Sequence, residues 1–314
     1  MSQILDGKII LGSTNSKAMG GTELMMQRMV DNIPNEVLQG YQIIHSRIPD
    51  ELSDVHERIL VFHDLPHDPM YDKLRDESFR NKFSKFVFVS NWQMQYFNLV
   101  HGIPYDKSLV IKNSIEIFPQ REKEIPETIR LIYHTTPHRG LEILIPSFNK
   151  IKEMFPDLDV SLDVYSSFEI YGWRERDEKY KDLFDLARRS SNITYHGFKP
   201  NEVIRKALSK SHIFAYPSIW PETSCLAAIE AMSAGLCVVH PNYGALPETC
   251  GHFGFSYQWS ENKNNHANVF SEILYNTILY VKRNGLDNSL QKHIIDAHHN
   301  NEVMTNMWTQ ILKK

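Results

Sequence analysis

Apolar positions along this 314-residue chain come in two rhythms that take turns. Short β-branched or aromatic runs mark strands, and each is followed by a polar loop and then an amphipathic stretch with helical spacing. "KIILGS" (8–13) leads through "TNSKAMGG" into the helical "TELMMQRMVDNI". "YQIIHS", "RILVFHD" and "KFVFVS" follow, the last running into helical "NWQMQYFNLV" before "SLVIKNS". The stretch "IFPQREKEIPETI" (117–129) breaks the rhythm with charge and two prolines, and reads as a linker. Alternation restarts at "RLIYH" (130–134) and passes through "TTPHRG", helical "LEILIPSFNKIKEMF", "DVSLDVYS" and a charged helical stretch at about 174–190. "NITYHGF", helical "NEVIRKALSK", "HIFAYPS", a further helix and "LCVVH" complete it, and a last helical stretch (about 263–313) has no strand partner.

Strands alternating with helices imply parallel sheets flanked by helices. Two such runs around a linker predict an α/β chain of two Rossmann-like domains facing each other across a cleft. The expected bounds are 1–118, a linker at 119–129, 130–295, and a C-terminal helix at 296–314 that packs across to the first domain. Polar residues fall just after the strands: Gly20 and Gly21, His63 and Asp64, Ser90, Asn113, His134 to Arg139, Pro217 to Glu222, and His240 to Glu248. Open parallel sheets bind ligands outside the carboxyl ends of their strands, so these positions are the candidate site.

One segment is chemically odd. "IWPETSCLAAIEAMSAGLC" (219–237) reads as a helix of small and apolar residues from Ser224 to Ala234, yet it carries Glu230 near its middle and Glu222 at its mouth. A glutamate is almost never fully buried without a partner, and the residues flanking Glu230 offer none. Either this helix is half exposed or ion-paired, or its carboxylate lines a ligand cleft and accepts bonds from paired hydroxyls. The backbone N–H groups opening the helix beside Glu222 favour an anion. Ser224, Ala227, Ala228 and Ala231 are small enough for close approach, and Gly235 stands where a helix end wants a left-handed residue. An anion site beside a carboxylate suits a molecule carrying phosphates and vicinal hydroxyls, such as a nucleotide sugar.

"PSIWPETSCLAAIEAMSAGLCVVHPNYGALPET" resembles the signature of the retaining family-4 glycosyltransferases with the two-domain GT-B fold. The resemblance is densest over 212–250, carries on through 130–148, and thins in the first domain. It implies that Glu230 takes the ribose, that Glu222 takes hydroxyls of the donor sugar, and that the backbone of Thr223, Ser224, Cys225 and Leu226 lies against sugar and diphosphate. Ser224 and Cys225 replace the family's usual Phe-Gly pair. "HTTPHRGLEILIPSF" is similar to the stretch that grips the diphosphate, with Arg139 in the lysine position. His134 stands in the arginine position, so part of the grip is expected to come from Thr135 and Thr136. The resemblance places Gly20 and Gly21 of "AMGGTELMMQRM" near phosphates and acceptor, His63 of "VFHDLPHD" near the reacting sugar, and the acceptor on the first domain. Ser90 and Asn113 are expected to be structural or to line the cleft.

The resemblance implies a retaining glycosyltransferase, with Glu222, His63 and Arg139 at the reaction and a nucleoside-diphosphate sugar as co-substrate. The acceptor would be a hydroxyl on a saccharide, lipid or protein. No resident cofactor or metal is expected. The alternatives are a nucleotide-sugar epimerase or phosphorylase on the same fold, or a non-catalytic nucleotide-sugar binding module. Composition narrows the field further. A formal charge of −4 with no basic run longer than a pair argues against a nucleic-acid partner. Neither domain opens on G-x-G-x-x-G, which disfavours a dinucleotide dehydrogenase. No stretch approaches a membrane span and the N-terminus does not read as a signal peptide, so a cytoplasmic protein is expected, with at most peripheral membrane contact. Cys225, Cys237 and Cys250 suit buried thiols better than a disulfide framework. His63, Asp64, His67 and Asp68 form H-D-x-x-H-D, a set of metal-ligand types, but Pro66 and Pro69 break the helix that would align them. Tyr165, Tyr171 and Trp173 are available to stack on a sugar.

Overall fold

A computed structural model describes residues 2–11 and 20–313. Contacts divide the chain into two compact units, one ending at Glu116 and resuming at Ala297, the other spanning Ile117–Asp296. The first holds β1 (Ser2–Leu5), β2 (Lys8–Leu11), α1 (Gly21–Asn32), α2 (Asn35–Leu38), β3 (Tyr41–His45), β4 (Glu57–Val61), α3 (Glu77–Arg80), β5 (Lys85–Phe88), α4 (Asn91–His101) and β6 (Ser108–Val110). The second holds β7 (Ile129–Tyr133), α5 (Leu141–Met154), β8 (Val160–Val164), α6 (Lys181–Arg189), β9 (Ile193–Tyr195), α7 (Asn201–Leu208) and β10 (Ile213–Ala215). It continues through α8 (Leu226–Ser233), β11 (Cys237–Pro241), α9 (Leu246–Cys250), β12 (Phe255–Tyr257) and α10 (Lys263–Asn284). The unit boundary then falls inside α11 (Ser289–His299), and α12 (Asn301–Leu312) belongs to the first unit.

Each unit is a Rossmann-like layer built on a six-stranded sheet. In the second unit the order is β12-β11-β10-β7-β8-β9 with every pairing parallel. The first has the order β2-β1-β3-β4-β5-β6, parallel from β3 to β6. At its other edge β1 runs antiparallel to both β2 and β3. The cause is a hairpin at Asp6–Gly7, with φ of 47° and 74°, the left-handed pair that a tight Asp-Gly turn supplies.

Covered on both faces, the inner strands are continuously buried rather than alternating: all five positions of β3 and of β11 are buried, Gln42, His45 and His240 among them. One side of the first sheet packs Phe62, Phe86, Phe88 and Phe97 around Tyr71, with Phe62 stacked on Phe88 at 4.6 Å. The other side packs Ile43, Ile59 and Val61 against Met26 and Met29 of α1 and Met304 and Trp308 of α12. Helix α4 shows how local chemistry sets the ends of these elements. The Ser90 hydroxyl accepts from the Gln93 N–H at 3.0 Å, and Gly102 closes the helix at φ 64°.

Two further readings are refined. The charged stretch at 174–190 is a 3-10 segment, Arg174–Tyr180, followed by α6. The final stretch is three helices, and β12 adds an edge strand just before it. Cys225, Cys237 and Cys250 are free and buried. Burial pushes the Cys237 thiol to about 11 and that of Cys250 to about 12. Among the described residues no helix is long and apolar enough to cross a membrane.

Candidate functional site

In the second unit, β7, β10 and β11 lie side by side, and the loops leaving their carboxyl ends meet. Their close approach depends on two glycines. Gly140, at φ 116°, sits so tightly under the β10 loop that a Cβ would lie 2.0 Å from the Pro217 carbonyl oxygen. Gly244, at φ 60°, meets the backbone of Glu222, where a Cβ would come within 2.6 Å of its N and O atoms. The Ala245 N–H then donates to the Glu222 carbonyl at 2.7 Å. Three loops are thus locked around one residue.

Glu222 is 5% exposed, and its carboxylate accepts from the Arg139 guanidinium and from the Tyr216 hydroxyl. Burial opposes the charge on Arg139, but Glu222 and then Tyr216 outweigh it and hold the guanidinium pKa well above its ordinary value. Burial, reinforced by Glu222, drives the Tyr216 pKa well up, so its hydroxyl stays a donor. Trp220, exposed at the rim, lies with its ring 5.9 Å from the Arg139 guanidinium carbon, within cation–π range. Cys225 caps α8, and burial, then Glu222, hold its thiol protonated. Glu230, one turn before the end of α8, is 7% exposed, which resolves the half-exposed-helix reading in favour of a buried carboxylate. Gly235 ends this segment at φ 82°, as its position predicts.

In the loop after β7, His134 Nε2, Thr135 Oγ1, Thr136 Oγ1 and His138 Nδ1 are buried with no hydrogen-bond partner among the described residues. Each such atom costs about 1–3 kcal/mol, so four of them in one five-residue loop beside Arg139 mark a surface suited to meet a polar ligand. The Thr135 carbonyl is engaged, accepting from Ser166 at 2.7 Å. His138 stacks on Phe168 at 5.2 Å and meets the edge of Trp220.

His134, in the arginine position, is held neutral: burial drives its pKa to about 4, against a smaller opposing effect of a backbone hydrogen bond with Ala227. Its ring packs 4.8 Å from Phe214. His134 is therefore a neutral polar contact and supplies no charge to an anion. His138 is likewise held near 4 by burial, then by the charges of Arg139 and Arg176.

The remaining candidates are spread over both units. His63 follows β4 in the first unit, where its Nε2 lies 3.0 Å from His45 Nδ1. Gly20 is the residue before α1, with an ordinary φ of −72°, and Gly21 opens the helix. The rest of their loop, residues 12–19, lies outside the described residues. Thr223 and Ser224 lie between Glu222 and α8, and Leu226 opens that helix. The H-D-x-x-H-D set is dispersed. His67 bonds Tyr96, Asp68 accepts from the Met70 N–H at 3.1 Å, and the Asp64 carbonyl accepts from Gln93 at 2.9 Å. The described residues hold no group of three or more metal-ligand types. Ser90 is a helix cap, and the Asn113 carbonyl accepts from His299 at 2.8 Å. Tyr165 stacks on His196 at 4.2 Å, and Tyr171 packs against Trp173. Sequence reasoning missed Tyr216, His138 and His45. A tyrosine directly after a buried strand, needing a partner for its hydroxyl, was the available signal for Tyr216.

Comparison with known proteins gives the family and the fold. The chain is 27% identical over 139 residues to spore coat protein SA of Bacillus subtilis, a match spanning 43% of this chain and 36% of that protein. It thus matches little more than a third of the curated relative's length. The fold is that of Anabaena Alr3699/HepE, solved in complex with UDP-glucose, at TM-score 0.63 and 16% identity over 82% of this chain and 72% of that one. A glycosyltransferase from Rickettsia africae matches at TM-score 0.65 and 15% identity, over 97% of this chain and 85% of its own. The family profile described as glycosyl transferases group 1 matches residues 113–302, more than half of the chain and all of the Arg139–Glu222–Glu230 site. The chain belongs to the group 1 glycosyl transferases.

Proposed function

We propose that this protein is a retaining glycosyltransferase that moves a sugar from a nucleoside-diphosphate sugar to a hydroxyl acceptor. The observation that carries this reading is the buried Glu222 carboxylate, fixed by Arg139 and Tyr216 beside a loop with four unsatisfied polar atoms. In this reading Glu222 accepts from hydroxyls of the donor sugar and Glu230 from the ribose. Arg139 and the N–H groups opening α8 stabilise charge building on the leaving diphosphate, usually the largest catalytic effect available. Thr135, Thr136 and the neutral His134 contribute polar contacts alone. The acceptor hydroxyl attacks the face the diphosphate leaves, and a leaving phosphate oxygen takes its proton. His63 contacts the sugar or acceptor, and no metal is given a role.

UDP-glucose is the first donor to try, because Alr3699/HepE was solved with it and with UDP and glucose. Thermal stability of wild type and Glu230→Gln should be measured with UDP, GDP, ADP and their sugars. A ligand at ~100 times its Kd adds ~2.7 kcal/mol to the folded state. One nucleotide family should stabilise the wild type and leave Glu230→Gln unchanged. Stabilisation by none at millimolar concentration would overturn the donor site. Release of nucleoside diphosphate with an acceptor, and an anomeric configuration kept in the product, test transfer and retention separately. The uncharged His134 favours one second reading, a nucleotide-sugar binding module. Binding without any turnover would select it.

A further inference from the structure

Helix α8 carries Glu230, yet it spans little more than two turns, too short to keep its place by helical propensity. Packing of its buried Ala228, Ile229, Ala231 and Met232 is non-directional. Direction comes from α11. Asn288, just before α11, donates its amide to the Gly235 carbonyl at 2.9 Å. Gln291 donates to the carbonyls of Met232 and Leu236 at 3.1 and 2.9 Å. Beside them a ring of hydrogen bonds closes on Ser233. Lys292 Nζ donates to Asp296 Oδ2 and to the Phe118 carbonyl, each at 2.6 Å. The Ser233 hydroxyl donates to Asp296 Oδ1 and accepts from the Phe118 N–H at 3.3 Å. All four residues of the ring belong to the second unit.

A buried charged pair is a poor way to add stability at a helix end, since apolar side chains of similar volume often do as well or better. What the ring adds is a defined angle. Ser233 stands three residues after Glu230, so the two side chains leave α8 about 60° apart around its axis. The Ser233 hydroxyl is held from two sides, as donor and as acceptor, and the helix cannot turn without straining both bonds. That angle matters at Glu230. A side-chain tip lies about 5–6 Å from a helix axis, so a turn of about 10° swings a carboxylate by about 1 Å. Binding groups need to be held within about 0.5 Å. A carboxylate that swings further loses its aim on two vicinal hydroxyls at once.

We propose that Ser233 is a positioning residue for Glu230: held by the Lys292–Asp296 pair, it sets the rotation of α8 and so aims the Glu230 carboxylate at the ribose hydroxyls. This deepens, and rests on, the reading of Glu230 as the ribose contact. Buried at the last turn of α8, Ser233 acts through the helix and not by touching the nucleotide.

Titration calorimetry with UDP, GDP and ADP, each beside its 2′,3′-dideoxy analogue, tests it. The nucleotide that binds the wild type should bind about 30-fold more weakly without its two hydroxyls, as expected for hydrogen bonds to a charged group. Glu230→Gln should lose most of that preference. Ser233→Ala should cut it about 10-fold, the effect of a displaced carboxylate, and leave the affinity of the dideoxy analogue unchanged. Lys292→Met combined with Asp296→Leu removes both charges together, keeps the space filled, and should do the same. A ring that only stabilises the fold would weaken both nucleotides alike or neither. A preference kept by Ser233→Ala or by the double variant therefore overturns the positioning role, whatever the change in stability. No preference in the wild type, or one that Glu230→Gln leaves intact, defeats the ribose reading itself and the positioning role with it. A preference that Glu230→Gln abolishes and Ser233→Ala retains defeats the positioning role alone.

Discussion

Glu222 rests on two donors of unequal importance. Arg139 supplies a countercharge, with 22% of its side chain exposed against 6% for Glu222, whereas Tyr216 supplies a hydroxyl from full burial. Removing one partner of a buried ion pair leaves the other charge uncompensated, so Arg139→Ala should destabilise the second unit by about 3 kcal/mol, the low end for such a pair. Tyr216→Phe removes a hydrogen bond to a charged group and should destabilise it by about 1.5 kcal/mol. Urea midpoints of the two variants check the order. A larger effect from Tyr216→Phe would mean that the hydroxyl, and not the ion pair, holds the carboxylate. At this scale the sequence was legible where a motif carried the residue: Arg139, Glu222 and Glu230 stand out by type and spacing. The pair His45–His63 did not, because eighteen residues separate the partners and only strand register brings them together. His134 was legible as a position but not as a chemical state, because its charge depends on burial.

Among the elements, the positions of α5 and α8 follow from how closely their leading loops approach. Gly140 precedes α5 at φ 116° and would drive a Cβ into the Pro217 carbonyl, an atom of the backbone that cannot turn aside. Gly197, after β9, also has a positive φ of 66°, but a Cβ there meets nothing within 4 Å. The comparison separates strain from collision. Gly197→Ala should destabilise by about 1–2 kcal/mol, the penalty for a left-handed alanine, with nucleotide affinity unchanged. Gly140→Ala should destabilise by clearly more and weaken nucleotide binding, because the loops carrying Arg139 and Glu222 must separate. Equal effects of the two in thermal melts and nucleotide titration would show that the contact is soft. Long elements were readable from periodicity, since their apolar positions repeat often enough to exclude the other period. Strands β1 and β12, of four and three residues, are too short for that. Even so, the Asp6–Gly7 turn is a hairpin signal present in the residues themselves.

For the whole molecule, the two-run alternation disclosed both Rossmann-like units, because each parallel sheet needs its own series of buried strands and covering helices. It could not disclose how many histidines those cores enclose. His63 in the first unit, and His134, His138 and His212 in the second, are held near a pKa of about 4 chiefly by burial. In the unfolded chain each titrates near its ordinary value of about 6.5. Between these values the unfolded state binds protons that the folded state refuses, so stability is complete above about pH 6.5 and falls as pH drops toward 4. A fully buried group contributes a slope of about 1.4 kcal/mol per pH unit across that window. Urea unfolding at several pH values, with hydrogen exchange to follow each unit, should show this acid limb in both. His134→Gln should make it shallower by one proton's slope in the second unit alone, and a limb parallel to wild type would place a charged histidine there after all. The same variant decides the chemistry of the donor site. A cationic His134 in the diphosphate grip would make nucleotide affinity fall as pH rises through 6.5 in a way that His134→Gln abolishes, whereas a neutral His134 leaves wild type and variant with the same pH dependence of binding from pH 6 to 8.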